Sequence, residues 1–323
     1  MEPNFFKYAT NELSQDAFFC WLIEWSVESN KIKNPELYEA AFSLIKQIIP
    51  EEFTNNFCVN TCRIHMQKKN TDFIIELNNS IILHFEDKVK SNTSNSQLSK
   101  YKKNIAKEYL NHNIYHIYLK TDLIWLKERN LVDKNGYKVF DLLSINDMLK
   151  ASTKSDIYKN FASIIQQRID QYKSYKSIVT NKWCRNQWIG FLYDLSLGIK
   201  YHNFEKYFVG EDFWFVFSWF RLNKFKDSHI SFEIKKRKCA IKAHVYDGET
   251  NRNDVLRYVK DLFLPKYINY KTKLYNRKSK SMLIIEFTDF MVFDSKGFID
   301  FEKTKERLLK INHLFEKTAN NVG

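Results

Sequence analysis

Residues 72–88, DFIIELNNSIILHFEDK, alternate about a short polar break, and this pattern constrains the fold more than any other stretch. Successive side chains on a strand point to opposite faces, and Asn78, Asn79 and Ser80 are turn formers. Two strands joined by that turn pair Phe73 with Phe85 and place Asp72 opposite Glu86. One face then carries Phe73, Ile75, Leu77, Ile81, Leu83 and Phe85, is wholly apolar, and must be a core side. The other carries Asp72, Ile74, Glu76, Ile82, His84, Glu86 and Lys88. Two carboxylates and an amine are thereby gathered at the open end of the hairpin, while Asp87 points to the core side.

The neighbouring segments extend this unit. Residues 11–28 have helical spacing, with Phe18, Trp21, Leu22 and Trp25 as the buried stripe and Asn11 or Thr10 as a cap. Pro35 opens a second helix through about Ile49, with Leu37, Ala41, Leu44 and Ile48 on one face, and Pro50 ends it. A strand is expected over 57–66, a helix from Gln97 to Leu110, and a strand over 114–119. The order is helix, three strands, helix, strand. Residues 145–172 read as helical, with Ile157, Phe161, Ile164 and Ile165 facing a core, and the Lys/Ser/Tyr-rich stretch 172–180 is the expected boundary. Beyond it an α+β pattern follows: a helix near 183–199, strands near 213–220, 229–235 and 239–246, a helix over 250–263, a strand over 281–287 and a helix over 300–318.

Composition narrows the functional classes. A chain of 323 residues suits two domains, and 44% hydrophobic residues supply ample core. The formal net charge of +13 favours phosphate-bearing partners, although a lysine-rich solvated surface would give the same number. The five cysteines form no C-x-x-C pair, so neither a disulfide framework nor a zinc ribbon is indicated; Cys58 and Cys62 read as buried thiols on a strand, and a reducing cytoplasm fits. The N-terminus lacks a signal-peptide pattern, and no apolar run reaches the roughly 18 residues of a membrane span.

Two adjacent carboxylates repel and are best neutralised by a hard divalent cation; a nearby lysine can position a water or stabilise charge on a phosphate. The cation would lower the pKa of that water and polarise a phosphodiester. Asp, Glu and Lys are also what any solvent-facing strand carries, so spacing alone leaves both readings open.

Asp72 followed by Glu86-Asp87-Lys88 on the next strand resembles the D…(D/E)-x-K signature of the PD-(D/E)XK nuclease superfamily, and the order of elements resembles its core. Gln97-Leu98-x-x-Tyr101 resembles the Q-x-x-x-Y element that opens the next helix in some branches. Glu12…Asp16-Ala17-Phe18-Phe19-x-Trp21-Leu22 resembles the glutamate-bearing first helix of bacterial members. The resemblance covers roughly residues 10–120, and Thr71 stands where the named proline would sit. It implies an α/β, restriction-endonuclease-like core over 1–175, with an α+β C-terminal domain over 176–323. It implies Asp72 and Glu86 as metal ligands, joined by Glu12 and by a backbone carbonyl at or beside Val89. Lys88 would position the water or stabilise the leaving charge, and Gln97 would orient the lysine or the scissile phosphate. Magnesium is the expected cofactor, with manganese as a substitute, and DNA the expected substrate. A stand-alone bacterial protein of this kind resembles restriction or phage-defence effectors, and a homodimer cutting both strands is an expected assembly.

Other features are weaker. His112 and His116 have zinc-like spacing but lack the glutamate of H-E-x-x-H, and His84 is more readily a structural histidine. No P-loop and no nucleophile motif occurs. Lys100, Lys102, Lys103 and Lys107 follow the motif on one helix, and Lys235, Lys236, Arg237 and Lys238 form a run, as do Lys271, Lys273, Arg277, Lys278 and Lys280. Each could track a nucleic-acid backbone or be a solvated edge. Phe213–Phe220 reads as core before it reads as a base-stacking platform. The rival functions are a catalytically silent nucleic-acid-binding or assembly module, an RNA nuclease, and a nuclease gated by a regulatory protein or ligand acting on the C-terminal domain.

Overall fold

A computed structural model describes residues 4, 6, 11–50, 57–68, 71–89, 91, 93–197, 205–209, 212–235, 238–275 and 280–320. The chain divides into two compact units, Met1–Asp170 and Gln171–Gly323. The division falls in the last turn of a helix, just before the lysine- and tyrosine-rich stretch 172–180. Among the described residues no helix is long and apolar enough to cross a membrane.

The first unit is built on a five-stranded sheet in chain order: β1 (Cys62–Met66), β2 (Phe73–Leu77), β3 (Ile81–Lys88), β4 (Asn113–Lys120) and β5 (Lys138–Asp141). The first three are antiparallel and the last two join in parallel. Parallel neighbours need a crossover, which α3 (Asn95–Glu108) and α4 (Leu126–Lys134) provide. Before the sheet come α1 (Glu12–Glu24) and α2 (Pro35–Ile48); after it come α5 (Leu142–Met148) and α6 (Asp156–Lys173). Asn11 caps α1 by accepting from the Ser14 amide, and Asn34 caps α2 with Pro35 in its first turn.

The hairpin register is the expected one, Phe73 with Phe85 and Leu77 with Ile81. Asn78 and Asn79 turn the corner with φ of 53° and 54°, a region asparagine tolerates better than most residues. Asn78 also accepts from the Asn60 and Thr61 amides and donates to the Cys58 carbonyl, fixing the approach to β1.

Several expectations need correction. The first strand is shorter than 57–66, and Cys58 is exposed, because residues 57–61 lie outside the sheet apart from a bridge at Val59. The α1 stripe runs through Phe18, Phe19, Leu22 and Ile23, with Trp21 and Trp25 only half-buried. The span 145–172 is two helices, broken at 149–155. Strand β5 and helix α4 had not been anticipated. The hairpin's polar face is also covered: Ile74 and Ile82 pack with Ile105 and Tyr109 beneath α3.

In the second unit α7 (Arg185–Leu197) precedes a six-stranded antiparallel sheet of order β10-β11-β9-β8-β7-β6. Its strands are β6 (Glu205–Val209), β7 (Asp212–Arg221), β8 (Ser228–Lys235), β9 (Lys238–Val245), β10 (Thr272–Leu274) and β11 (Ser281–Phe287). Helices α8 (Arg252–Phe263) and α9 (Phe301–Ala319) bury Val255, Val259, Phe263, Ile311 and Phe315 against it. Strands β6 and β10 had not been anticipated. Phe215 and Phe217 are core, as expected for the 213–220 stretch.

Candidate active site

Strand β3 ends in Glu86, Asp87 and Lys88, all buried although charged. Such groups persist only where partners compensate the lost hydration. Lys88 Nζ lies 2.7 Å from Glu86 Oε1 and 3.6 Å from Asp72 Oδ2, and donates to the Asp87 carbonyl at 2.7 Å. The Asp87 amide donates to Asp72 Oδ2 at 2.6 Å, which ties the residue just before β2 to the end of β3. Gln97, in the first turn of α3, donates to Glu86 Oε1 at 2.8 Å and to the Tyr101 hydroxyl at 3.3 Å. The Q-x-x-x-Y pair thus reaches the carboxylate from the helix above it.

Glu12, at the start of α1, accepts from the Val89 amide at 3.2 Å and from the Ser91 hydroxyl at 3.1 Å. It holds Val89 and Ser91 there, and its charge adds to those that raise Asp72 and Glu86. Among the described residues no three His, Cys, Asp or Glu side chains converge as a ready cation cage. Lys88 supplies the positive charge between Asp72 and Glu86. Glu86 Oε2 is buried with no hydrogen-bond partner. Magnesium is commonly held by one or two carboxylates with water completing its shell, so the Asp72 and Glu86 oxygens fit it without a third side chain.

The electrostatics reflect this crowding. Burial first, and then the Asp72 charge, push the Glu86 carboxyl up to about 7. Asp72 is also raised by burial, against the pull of Lys88. Burial opposes the Lys88 ammonium, but Glu86 and Asp72 together outweigh it and hold its pKa above the ordinary lysine value.

Two features escaped the sequence reading. Asp87, on the opposite face of β3, meets Asp16 of α1, and both are buried. Burial with the nearby Asp72 charge raises Asp16 to about 7, and burial with the Asp16 charge raises Asp87 as well. Its signal was a charged residue inside the apolar stripe of α1. Second, Lys120 is the parallel-strand partner of Lys88 and is fully buried. Its Nζ reaches Glu128 Oε1 at 2.5 Å and the Ser91 carbonyl at 2.8 Å, and the Tyr118 hydroxyl donates to the same Glu128 oxygen. It therefore holds the loop that Glu12 also holds.

The remaining candidates lie elsewhere. Lys100, Lys103 and Lys107 are exposed on α3, the helix that carries Gln97 in its first turn, while Lys102 donates to the Asn135 carbonyl. His84 and His116 share a hydrogen bond, Nδ1 to Nδ1 at 2.8 Å, inside the sheet layer. Burial, then the partner ring, lowers His84 to about 3, so it is a neutral structural group. Lys235 and Lys238 lie in the second unit, where Lys238 is 3.9 Å from Glu286. Lys236, Arg237, Arg277 and Lys278 lie outside the described residues.

A family model described as the PD-(D/E)XK nuclease superfamily matches residues 3–181. The chain belongs to that superfamily. Its five-stranded sheet, with the motif on the β2–β3 hairpin, is the restriction-endonuclease-like fold. Membership makes it a nuclease by family, with a nucleic acid as the class of substrate, and the superfamily typically uses divalent metal ions. No curated protein and no solved structure gives a significant match.

Proposed function

We propose that this PD-(D/E)XK protein is a magnesium-dependent nuclease that hydrolyses DNA phosphodiester bonds, with Asp72, Glu86 and Lys88 at its centre. The observation that carries the reading is the convergence of those three side chains, with Gln97 on Glu86, at one end of the hairpin. Asp72 and Glu86 would hold the cation. When bound, it supplies Lewis-acid polarisation of the phosphate and a more acidic water.

The chain's own residues do the rest. Lys88, whose ammonium lies between Glu86 and Asp72, would position the nucleophilic water or stabilise the charge growing on the phosphate. Gln97 holds the Glu86 carboxylate in one orientation. Glu12 fixes Val89 and Ser91 beside the end of β3 and would add a further carboxylate to the cation's surroundings. Lys100, Lys103 and Lys107 line the exposed side of α3, where they meet the phosphates flanking the scissile one. A role in restriction or defence against foreign DNA is part of this proposal and rests on family resemblance.

The test presents purified protein with duplex DNA, single-stranded DNA and RNA of matched length, in magnesium, manganese or EDTA. The reading expects DNA cutting with either metal and none in EDTA. Cutting confined to RNA, or cutting indifferent to EDTA, would overturn it.

A further inference from the structure

The second unit has a built surface that the cleavage site does not use. The sheet packs one face on α8 and α9. Its opposite face forms an open concavity of about 900 Å³, lined from β7, β8 and β9.

A buried, fully partnered charge organises this face. Glu233 is 3% exposed and accepts from Ser231 Oγ at 2.5 Å and Lys242 Nζ at 2.6 Å, with His244 Nε2 at 3.2 Å. Burial works against the Glu233 anion, but the bonds from His244 and Lys242 prevail and hold it down at about 2. The network fixes the His244 ring, and flat rings are layered onto it. His229 stacks on His244 with centroids 4.4 Å apart and planes 15° apart, and Tyr246 stacks on His229 at 5.4 Å. Trp219 meets His229 edge-on at 5.9 Å.

The outer rings are left in solvent: Tyr246 is 60% exposed and Trp219 37%. A cluster of exposed aromatic rings of this kind marks an interaction surface. Cations flank the rings along the strands. Arg221, exposed, pairs across from His229 at one end of β8. Lys235 lies at the other end, its Nζ 5.7 Å from the Trp214 ring centroid. The six steps from His229 to Lys235 along β8 span about 20 Å. Exposed π-faces flanked by cations, on an open antiparallel sheet, suit sequence-tolerant recognition of single strands. A duplex hides its base faces and could use only the cations.

We infer that the open face of the second sheet is a single-stranded nucleic-acid site, with bases on Trp219 and Tyr246 and phosphates toward Arg221 and Lys235. The choice of occupant rests on the nuclease reading, but the site is separate in the chain and needs no metal.

The test is binding of fluorescein-labelled oligo-dT and oligo-U, with a matched duplex, to the full chain in EDTA, where cleavage cannot intervene. Intrinsic tryptophan fluorescence is followed alongside. One stacked base is worth about 1–3 kcal/mol, so Trp219→Ala and Tyr246→Ala should each weaken single-strand binding about 5- to 150-fold. Trp219→Phe, which keeps a flat ring, should restore most of it, and the duplex should be little affected. Tryptophan quenching by either oligonucleotide would support stacking, and the two oligonucleotides compared show whether deoxyribose or ribose is preferred. Unchanged affinity in both alanine variants would overturn the inference, as would binding of the duplex alone. So would a dimer in solution that the alanine variants split, since the face would then be covered by a second copy. Absence of cleavage by the wild type in magnesium or manganese, with single-strand binding intact, would overturn the nuclease reading and leave this site standing.

Discussion

Replacing Glu86 with glutamine should stabilise the cation-free protein, and do so far more at pH 8 than at pH 5. Burial and the Asp72 charge raise Glu86 from an ordinary 4.5 to about 7. A carboxyl raised in the folded state binds more protons folded than unfolded between those values. Stability therefore falls as pH rises through that window and levels off above it. At about 1.4 kcal/mol per pH unit of displacement, the ionised side chain costs the fold about 3 kcal/mol at pH 8 and under about 1 kcal/mol at pH 5. Glutamine keeps an oxygen for Lys88 and removes the charge. The assay is urea unfolding in EDTA at the two pH values, followed by circular dichroism. The variant's advantage should be about 2 kcal/mol larger at pH 8. A Glu86→Gln protein that is less stable by the same amount at both values would refute the claim that charge crowding strains this site.

Other outcomes follow from the same contacts. Gln97→Ala removes the bond that orients Glu86 and should lower kcat about 10- to 100-fold with little change in the unfolding midpoint, as measured by steady-state cleavage. The magnesium concentration for half-maximal cutting should rise about tenfold per pH unit below about 7, since each cation must displace the Glu86 proton; a flat profile from pH 5 to 8 would contradict this. Lys120→Met strands the buried Glu128 carboxylate and should destabilise by about 3–5 kcal/mol, while the double variant with Glu128→Leu recovers most of the loss in urea unfolding.

Legibility in the sequence was uneven, for physical reasons. The β2–β3 hairpin was readable because a period-2 pattern closed by Asn78 and Asn79 admits one register, and that register alone places Asp72 beside Glu86. Gln97 was reached through the resemblance of Gln97 and Tyr101 to the Q-x-x-x-Y element, and it stands in the first turn of α3 with its amide on the Ser94 cap. Strand β5 has four residues, too few to display a period, and β10 has three. The burial of the hairpin's polar face was hidden because Glu76, His84 and Glu86 interrupt the Ile74 and Ile82 surface that α3 covers. The Asp16–Asp87 and Lys120–Glu128 pairs were invisible for another reason. A charged residue announces that it needs a partner, but only tertiary packing says which one. The ring ladder of His229, His244 and Tyr246 likewise depends on the β8–β9 register, which the sequence left unassigned.

The central claim is that Asp72, Glu86 and Lys88 form one catalytic site, in which the carboxylates hold the cation and the lysine acts on water and phosphate. Lys88→Met separates those roles, since it keeps both carboxylates and removes the ammonium between them. Supercoiled plasmid would be incubated with the wild type and this variant in magnesium, manganese or EDTA, with manganese binding measured calorimetrically on both proteins. Metal-dependent nicking by the wild type, loss of nicking in the variant, and manganese binding by the variant at least as tight are expected. Nicking that survives Lys88→Met would contradict the claim and move the active site elsewhere.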